Sequence, residues 1–164
     1  MNILPRVIPV LLLSQQRFVK TKKFKSPIYI GDPINSIRIF NEKEVDEVII
    51  IDIDASNNGQ APDFDYIEEL ASECFMPLTY GGGIRSIEHA SILFNLGIEK
   101  ICIQSEFQRR PEFVTELSSK FGKQSIIASV DIKVDIFGRK RVYYSETKKY
   151  SSDRLEDVIE NYNQ

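Results

Sequence analysis

The strongest constraint on how this chain folds is an alternation. Short runs rich in β-branched and apolar residues, at 6–13, 48–53, 77–80, 100–104 and 125–132, are separated by longer segments with helical periodicity. Ile49-Ile50-Ile51 and Ser125-Ile126-Ile127-Ala128 are the clearest strand cores. Strands this uniformly apolar are buried on both faces, which is the condition of a parallel sheet covered by its own crossover helices. Each run follows the previous one at the separation that one βα unit requires, so the pattern predicts five such units in an α/β fold.

The helical segments carry their own start signals. Residues 33–44 follow Asp32 as N-cap, with Pro33 at the first helical position and Ile34, Ile37 and Phe40 on one face. Residues 63–74 present Ile67, Leu70 and Ala71. Residues 86–96 begin at Ser86 and present Ile87, Ala90 and Leu93, while 111–121 present Phe113, Val114 and Leu117. Beyond the fifth strand, 133–145 reads as a hairpin turning at Phe137-Gly138, and 153–161 as a further helix. Nothing between residues 1 and 164 marks a linker or a domain break, so one domain is expected over the whole length.

Charge and cysteine usage narrow the function classes. A net charge of -3 and a pI near 5.3 argue against a nucleic-acid-binding surface. The basic stretch Lys20-Thr21-Lys22-Lys23-Phe24-Lys25 still suits a small phosphorylated ligand. Cys74 and Cys102 stand alone in apolar surroundings without metal-ligand spacing and read as reduced core thiols. The N-terminal apolar run is interrupted by Pro5, Arg6 and Pro9 and has no signal-peptide layout, so a buried strand of a cytoplasmic protein without a membrane partner is expected.

The residues that can do chemistry cluster at strand ends. Tyr80-Gly81-Gly82-Gly83-Ile84 lies between a strand and a capped helix, where Gly82 and Gly83 allow backbone N–H groups to approach an anion; a tight turn needing positive φ explains the same glycines equally well. Gln104 and Ser105 end the next strand with an amide and a hydroxyl that suit a phosphate, or are simply a polar strand end. Asp131 follows an apolar strand, as a general acid or base would, or a loop cap. Asp52 and Asp54 end the second strand in the same way and place two further carboxylates there. Lys20, in a lysine-rich loop after the first strand, can reach a phosphate or a developing charge, although such runs are more often solvated. His89 lies mid-helix and is read as a surface residue; no metal site and no cofactor are expected.

Taken in order, Arg6-Val7-Ile8-Pro9, Val19-Lys20, Gly31-Asp32-Pro33, Asp46-Glu47-Val48, Asp52-Ile53-Asp54-Ala55, Pro77 to Ile84, Gly97-Ile98-Glu99-Lys100, Phe121-Gly122 and Val130-Asp131-Ile132-Lys133 resemble HisF, the cyclase family of imidazole glycerol phosphate synthase. The resemblance implies the first five βα units of a ribulose-phosphate-binding (β/α)8 TIM barrel, a fold that normally takes eight units. An isolated open set of this kind is expected to associate or aggregate through its exposed edges. It also implies histidine biosynthesis, with ammonia supplied by a HisH-like glutaminase subunit and a phosphoribulosyl aminoimidazole carboxamide as substrate. Asp131 matches the family's fifth-strand catalytic aspartate and Lys20 its first-loop lysine, while Gly83, Gln104 and Ser105, with Gly82 beside them, match one phosphate site. Arg6, Glu47 and Lys100 match three members of the charged ring through which ammonia enters. The first-strand catalytic aspartate falls on Leu12, which cannot transfer a proton. A fourth ring member and a second phosphate site, which the family carries on later strands, have no counterpart in these 164 residues. The leucine-bearing first strand also resembles HisF-like paralogues that pass ammonia to a sugar-amidating enzyme of surface polysaccharide synthesis; an inactive shortened paralogue is the third possibility.

Overall fold

The computed structural model describes residues 5–22, 24–144 and 147–151. Strand β1 (Val10–Ser14) runs into an antiparallel hairpin, β2 (Arg17–Lys22) and β3 (Lys25–Gly31), before helix α1 (Pro33–Glu42). Then come β4 (Val48–Asp52), α2 (Phe64–Glu73), β5 (Leu78–Gly81), α3 (Ile87–Asn95) and β6 (Lys100–Ile103). The short α4 (Ser105–Arg109) and α5 (Glu112–Phe121) lead to β7 (Ile126–Ala128). The main sheet has the order β3-β2-β1-β4-β5-β6-β7. Its strands β1, β4, β5, β6 and β7 are parallel neighbours in chain order, as in a barrel wall, and the sheet is not closed among the described residues. A second, antiparallel sheet joins β8 (Ile132–Val134), β9 (Lys140–Tyr144) and β10 (Lys149–Tyr150).

Alternation along each strand sorts side chains onto two faces. Leu13, Val48, Ile50, Leu78, Tyr80, Ile101 and Ile103 turn toward the helices, which answer with Ile37, Ile67, Leu70, Ala90, Leu93, Phe113 and Leu117 in one core. On the other face Leu12, Ile51, Gly81, Cys102 and Ile127 stand side by side in one row of register. The helices begin where their caps dictate. Asp32 accepts the Asn35 N–H at 2.9 Å, Asp63 the Tyr66 N–H at 3.3 Å and Ser86 the His89 N–H at 3.2 Å.

Several expectations shift. The first strand starts at Val10 rather than residue 6, because Pro5 and Pro9 have no N–H to give; pairing opens with the Pro9 carbonyl, which accepts the Ile49 N–H at 2.9 Å. The fifth parallel strand ends at Ala128, after which Ser129 still donates to the Ile103 carbonyl at 2.9 Å. Ile132 belongs instead to the hairpin expected at 133–145, which forms as β8 and β9 around Gly138. The segment around Lys20 is strand rather than loop: Lys20 pairs with Ile28 in the β2–β3 hairpin. His89 is half-buried rather than on the surface; its Nδ1 accepts the Arg85 N–H at 3.4 Å and its ring packs edge-on against Phe64. The helix expected at 153–161 lies outside the described residues.

Candidate functional site

The parallel strands carry charge at their N-terminal ends and a cavity at their C-terminal ends. At the N-terminal end Glu47, only 2% exposed, is held by three donors. Lys100 Nζ reaches Glu47 Oε2 at 2.6 Å, Arg6 Nη2 reaches the same oxygen at 3.1 Å, and Thr79 Oγ1 donates to Oε1 at 2.7 Å. Burial alone would push the Glu47 carboxyl up, but the hydrogen bonds from Lys100 and Thr79 and the charges of Lys100 and Arg6 outweigh it, and its pKa lies below the usual value. The three residues expected to form a ring are therefore in contact, through the carboxylate of one of them. Thr79, fully buried, completes the cluster and escapes sequence reading because a lone threonine in a strand is unremarked; its one signal is that it sits two positions before Gly81, on the same face.

At the C-terminal end a cavity of about 870 Å³ is lined by residues from every parallel strand or the loop after it. Val10, Leu12, Ile51 and Cys102 make its floor apolar, and Asp52, Gln104, Ser105, Ser129 and Asp131 supply polar groups. The glycine run after β5 is shaped by its neighbours. A Cβ on Gly82, where φ is 122°, would stand 2.4 Å from the Asp52 carbonyl oxygen, and one on Gly83, where φ is 70°, would stand 2.7 Å from that of Gln60. Both the backbone angle and the close approach exclude a side chain there. The Gly83 N–H donates to Ser56 Oγ at 3.2 Å, bringing a hydroxyl from the preceding βα loop into the same cradle.

Asp131 faces this cavity in a partly buried position, and its carboxyl is pushed above the usual range by desolvation, against the opposing influence of the Gln104 amide and the Lys133 charge. Such a carboxyl is suited to exchange protons nearer neutrality than a solvated one. Asp52 is also raised by burial, but its Oδ1 is occupied by the N–H groups of Asp54 at 2.9 Å and Ala55 at 3.1 Å, so it shapes the turn. Asp54 points elsewhere, accepting from Ser14 Oγ at 2.8 Å and the Gln15 N–H at 3.1 Å. Cys102 projects into the cavity with its thiol pushed up to about 11 by burial.

Of the residues singled out in the sequence, the cavity gathers Gly82, Gly83, Gln104, Ser105 and Asp131. Lys20 is exposed on β2 and is not among the lining residues. Its hairpin contributes Thr21, Phe24 and Lys25 instead, and Lys133, Tyr143 and Lys148 come from beyond β7. Lys133 Nζ lies 3.3 Å from the centre of the Tyr143 ring and 4.7 Å from that of Phe24, so an ammonium between two aromatic faces joins the two hairpins across the cavity mouth. No local sequence signal announces this, because the three partners lie far apart in the chain.

No helix among the described residues is long and apolar enough to cross a membrane. Residues 6–164 match the family described as histidine biosynthesis protein. A protein of Pseudomonas aeruginosa provisionally named imidazole glycerol phosphate synthase subunit hisF2 is 51% identical over 138 residues, covering 84% of this chain and 55% of the relative. A Vibrio vulnificus protein provisionally named as subunit hisF3 of that synthase is 47% identical over 155 residues (93% and 60%), and one of Leptospira interrogans provisionally named as subunit HisF is 43% identical over 156 residues (94% and 61%). The chain thus spans 55 to 61% of the length of these three relatives. With its βα order, its glycine-lined cavity at the strand ends and a family match from residue 6 to residue 164, the chain belongs to the histidine biosynthesis protein family, a TIM-barrel family, and resembles its HisF members.

Proposed function

We propose that the chain works as the ammonia-using, HisF-type subunit of a glutamine-dependent synthase, acting on a phosphorylated aminoimidazole carboxamide substrate in histidine biosynthesis. The observation that carries this reading is the pairing of two ends on one sheet face: a buried cluster of Glu47, Lys100 and Arg6 at the N-terminal end, and at the C-terminal end a cavity of about 870 Å³, roomy enough for a phosphorylated small molecule, with a raised carboxyl. Ammonia released by a HisH-like glutaminase would enter past Arg6, Glu47 and Lys100. Gly82 would present its backbone N–H to a phosphate and Gly83, whose N–H holds Ser56 Oγ, would keep that hydroxyl in the same cradle, with Gln104 and Ser105 adding side-chain donors. Asp131 would accept and return protons, and Lys20 would act from the first hairpin once that hairpin moves over the mouth.

Leu12 favours a second reading. It lines the cavity at the position where the family resemblance places a catalytic aspartate, so the floor opposite Asp131 is apolar. A barrel wall that keeps three ring residues and lacks one acid is suited to pass ammonia onward, as in HisF-like partners of a sugar-amidating enzyme.

The deciding experiment is ammonia-dependent conversion of the phosphoribulosyl aminoimidazole carboxamide by the full chain, with Asp131→Asn beside it. Turnover that falls by about 10²–10⁴ in Asp131→Asn supports cyclase chemistry. Wild-type protein that turns over nothing, yet restores use of glutamine-derived ammonia to an amidating partner, supports the second reading and overturns the first.

A further inference from the structure

The hairpin of β8 and β9 turns through Asp135-Ile136-Phe137-Gly138: the Gly138 N–H donates to the Asp135 carbonyl at 3.1 Å, and Gly138 has a φ of 78°. The two central positions of such a turn ordinarily go to proline or to short polar residues. Here they are Ile136, 93% exposed, and Phe137, 72% exposed, and Val134 just before the turn is exposed as well. None of the three lines the cavity, so the chemistry of the site does not account for them. Adjoining apolar side chains held in water mark a contact surface.

The tip is ordered by its own residues. Asp135 Oδ1 accepts the N–H groups of Phe137 at 2.8 Å and Arg139 at 3.0 Å, while Arg139 Nε lies 3.5 Å from Oδ2 and the guanidinium carbon 5.1 Å from the centre of the Phe137 ring. A tip fixed in advance loses little freedom when it docks. Behind it the charge is one-sided: residues 132–150 carry Lys133, Arg139, Lys140, Arg141, Lys148 and Lys149 against Asp135 and Glu146, in a chain whose net charge is -3. Arg139 and Lys140 follow the turn directly and are exposed. Lys140 pairs with Val134 across the hairpin, and Lys149 pairs with Tyr144, so both lysines stand on the face that presents Ile132 and Val134. Apolar groups thus lead and cations follow. An anionic bilayer offers the complementary order, a layer of phosphates over hydrocarbon. A protein pocket fits less well, because lysine is depleted from protein interfaces, whereas its long stem suits the headgroup region.

We propose that the β8–β9 hairpin docks on an anionic lipid surface, with Ile136 and Phe137 entering among the acyl chains and Arg139 and Lys140 meeting the headgroup phosphates. Lys149, farther back on the same face, adds attraction to the charged surface. The contact lies on a bilayer without crossing it, so it needs no long apolar helix, of which there is none among the described residues; it amends the expectation of no membrane partner. It is independent of what the cavity binds.

The chain contains no tryptophan, so Phe137→Trp turns the tip into its own reporter. The full chain with this substitution is mixed with vesicles of equal parts phosphatidylglycerol and phosphatidylcholine, and separately with phosphatidylcholine alone; sedimentation with the vesicles and indole emission are read. Anionic vesicles are expected to carry the protein down, shift the emission to the blue and, with brominated acyl chains, quench it, while neutral vesicles do none of these. Phe75→Trp, at a position 85% exposed ahead of β5, is expected to show no shift. Without a reporter, the pair Ile136→Ser and Phe137→Ser should weaken co-sedimentation by at least about tenfold, and so should the pair Arg139→Glu and Lys140→Glu, with circular dichroism showing that the fold is kept. Failure to bind anionic vesicles overturns the proposal and leaves the tip to a protein partner. Binding without a blue shift in Phe137→Trp overturns it as well, and so does an equal shift in Phe75→Trp, which would mean adsorption by no particular face.

Discussion

Replacing Lys100 by methionine tests the charged ring directly. Glu47 is 2% exposed, and its Oε2 is shared between Lys100 at 2.6 Å and Arg6 at 3.1 Å, with Lys100 one-fifth exposed and Arg6 more than half exposed. Removing one partner of a fully buried pair costs about 3–5 kcal/mol, mostly because a charge is left buried and unpaired. Here Arg6 and the Thr79 hydroxyl remain and Lys100 itself is partly solvated, so we expect Lys100→Met to cost about 2 kcal/mol at neutral pH, or roughly 4–8 °C in Tm. The sign of its pH dependence follows from Glu47. In the wild type the Glu47 pKa is depressed, so the stability it contributes is present above the unfolded value of 4.5 and is lost as pH falls through the lower folded value. In Lys100→Met burial is no longer outweighed to the same degree, and the Glu47 carboxyl takes up its proton at higher pH. The gap between the two proteins is therefore widest at neutral pH and closes as the pH falls through and below 4.5. Urea unfolding followed by far-ultraviolet circular dichroism measures it, since the chain has no tryptophan to report. A gap of the same size at neutral and acid pH, or one below about 0.5 kcal/mol throughout, would refute the reasoning and reduce the cluster to a surface ion pair.

Three further outcomes are expected. Gly82→Ala should destabilise the chain by about 2 kcal/mol or more, because its Cβ would meet the Asp52 carbonyl at 2.4 Å in a φ region that alanine avoids; thermal unfolding checks this. Asp131→Asn should leave stability unchanged or raise it by up to about 1 kcal/mol at neutral pH. The reason is that a carboxyl whose folded pKa is raised stabilises fully only below its unfolded value of 3.8 and loses that contribution as pH rises; the gain should therefore vanish in acid, and a loss of stability at neutral pH would contradict it. The Cys102 thiol, pushed up to about 11, should react with a disulfide reagent at mildly alkaline pH at least tenfold more slowly than after unfolding in urea. Equal rates would mean that the cavity floor is open.

The composition of the site was readable in the chain wherever chemistry depends on local order. A glycine run between a strand and a capped helix has few structural meanings, and Gly82 and Gly83 turn out to be required by both backbone angle and close approach. Asp131, Gln104 and Ser105 line the cavity because a strand's last residues are the ones a parallel sheet exposes at its mouth. Cap residues Asp32, Asp63 and Ser86 likewise act within one turn of themselves, so three residues of sequence suffice to identify them. Strand limits are less legible. Prolines cut the first strand short, and the end of β7 is set by pairing with β6, which no local pattern encodes.

Five apolar parallel strands in order, the helices between them, and the residue types at the strand ends follow from the sequence alone, because strand period, helix period and capping are local properties. Tertiary structure alone decided which of those residues meet. It placed Thr79 on Glu47, drew Lys133 between Phe24 and Tyr143, and left Lys20 on the outside of a hairpin. The Thr79 and Lys133 contacts join segments that the chain separates and the sheet register reunites, and register is settled by the packing of whole faces, not by any one stretch of residues.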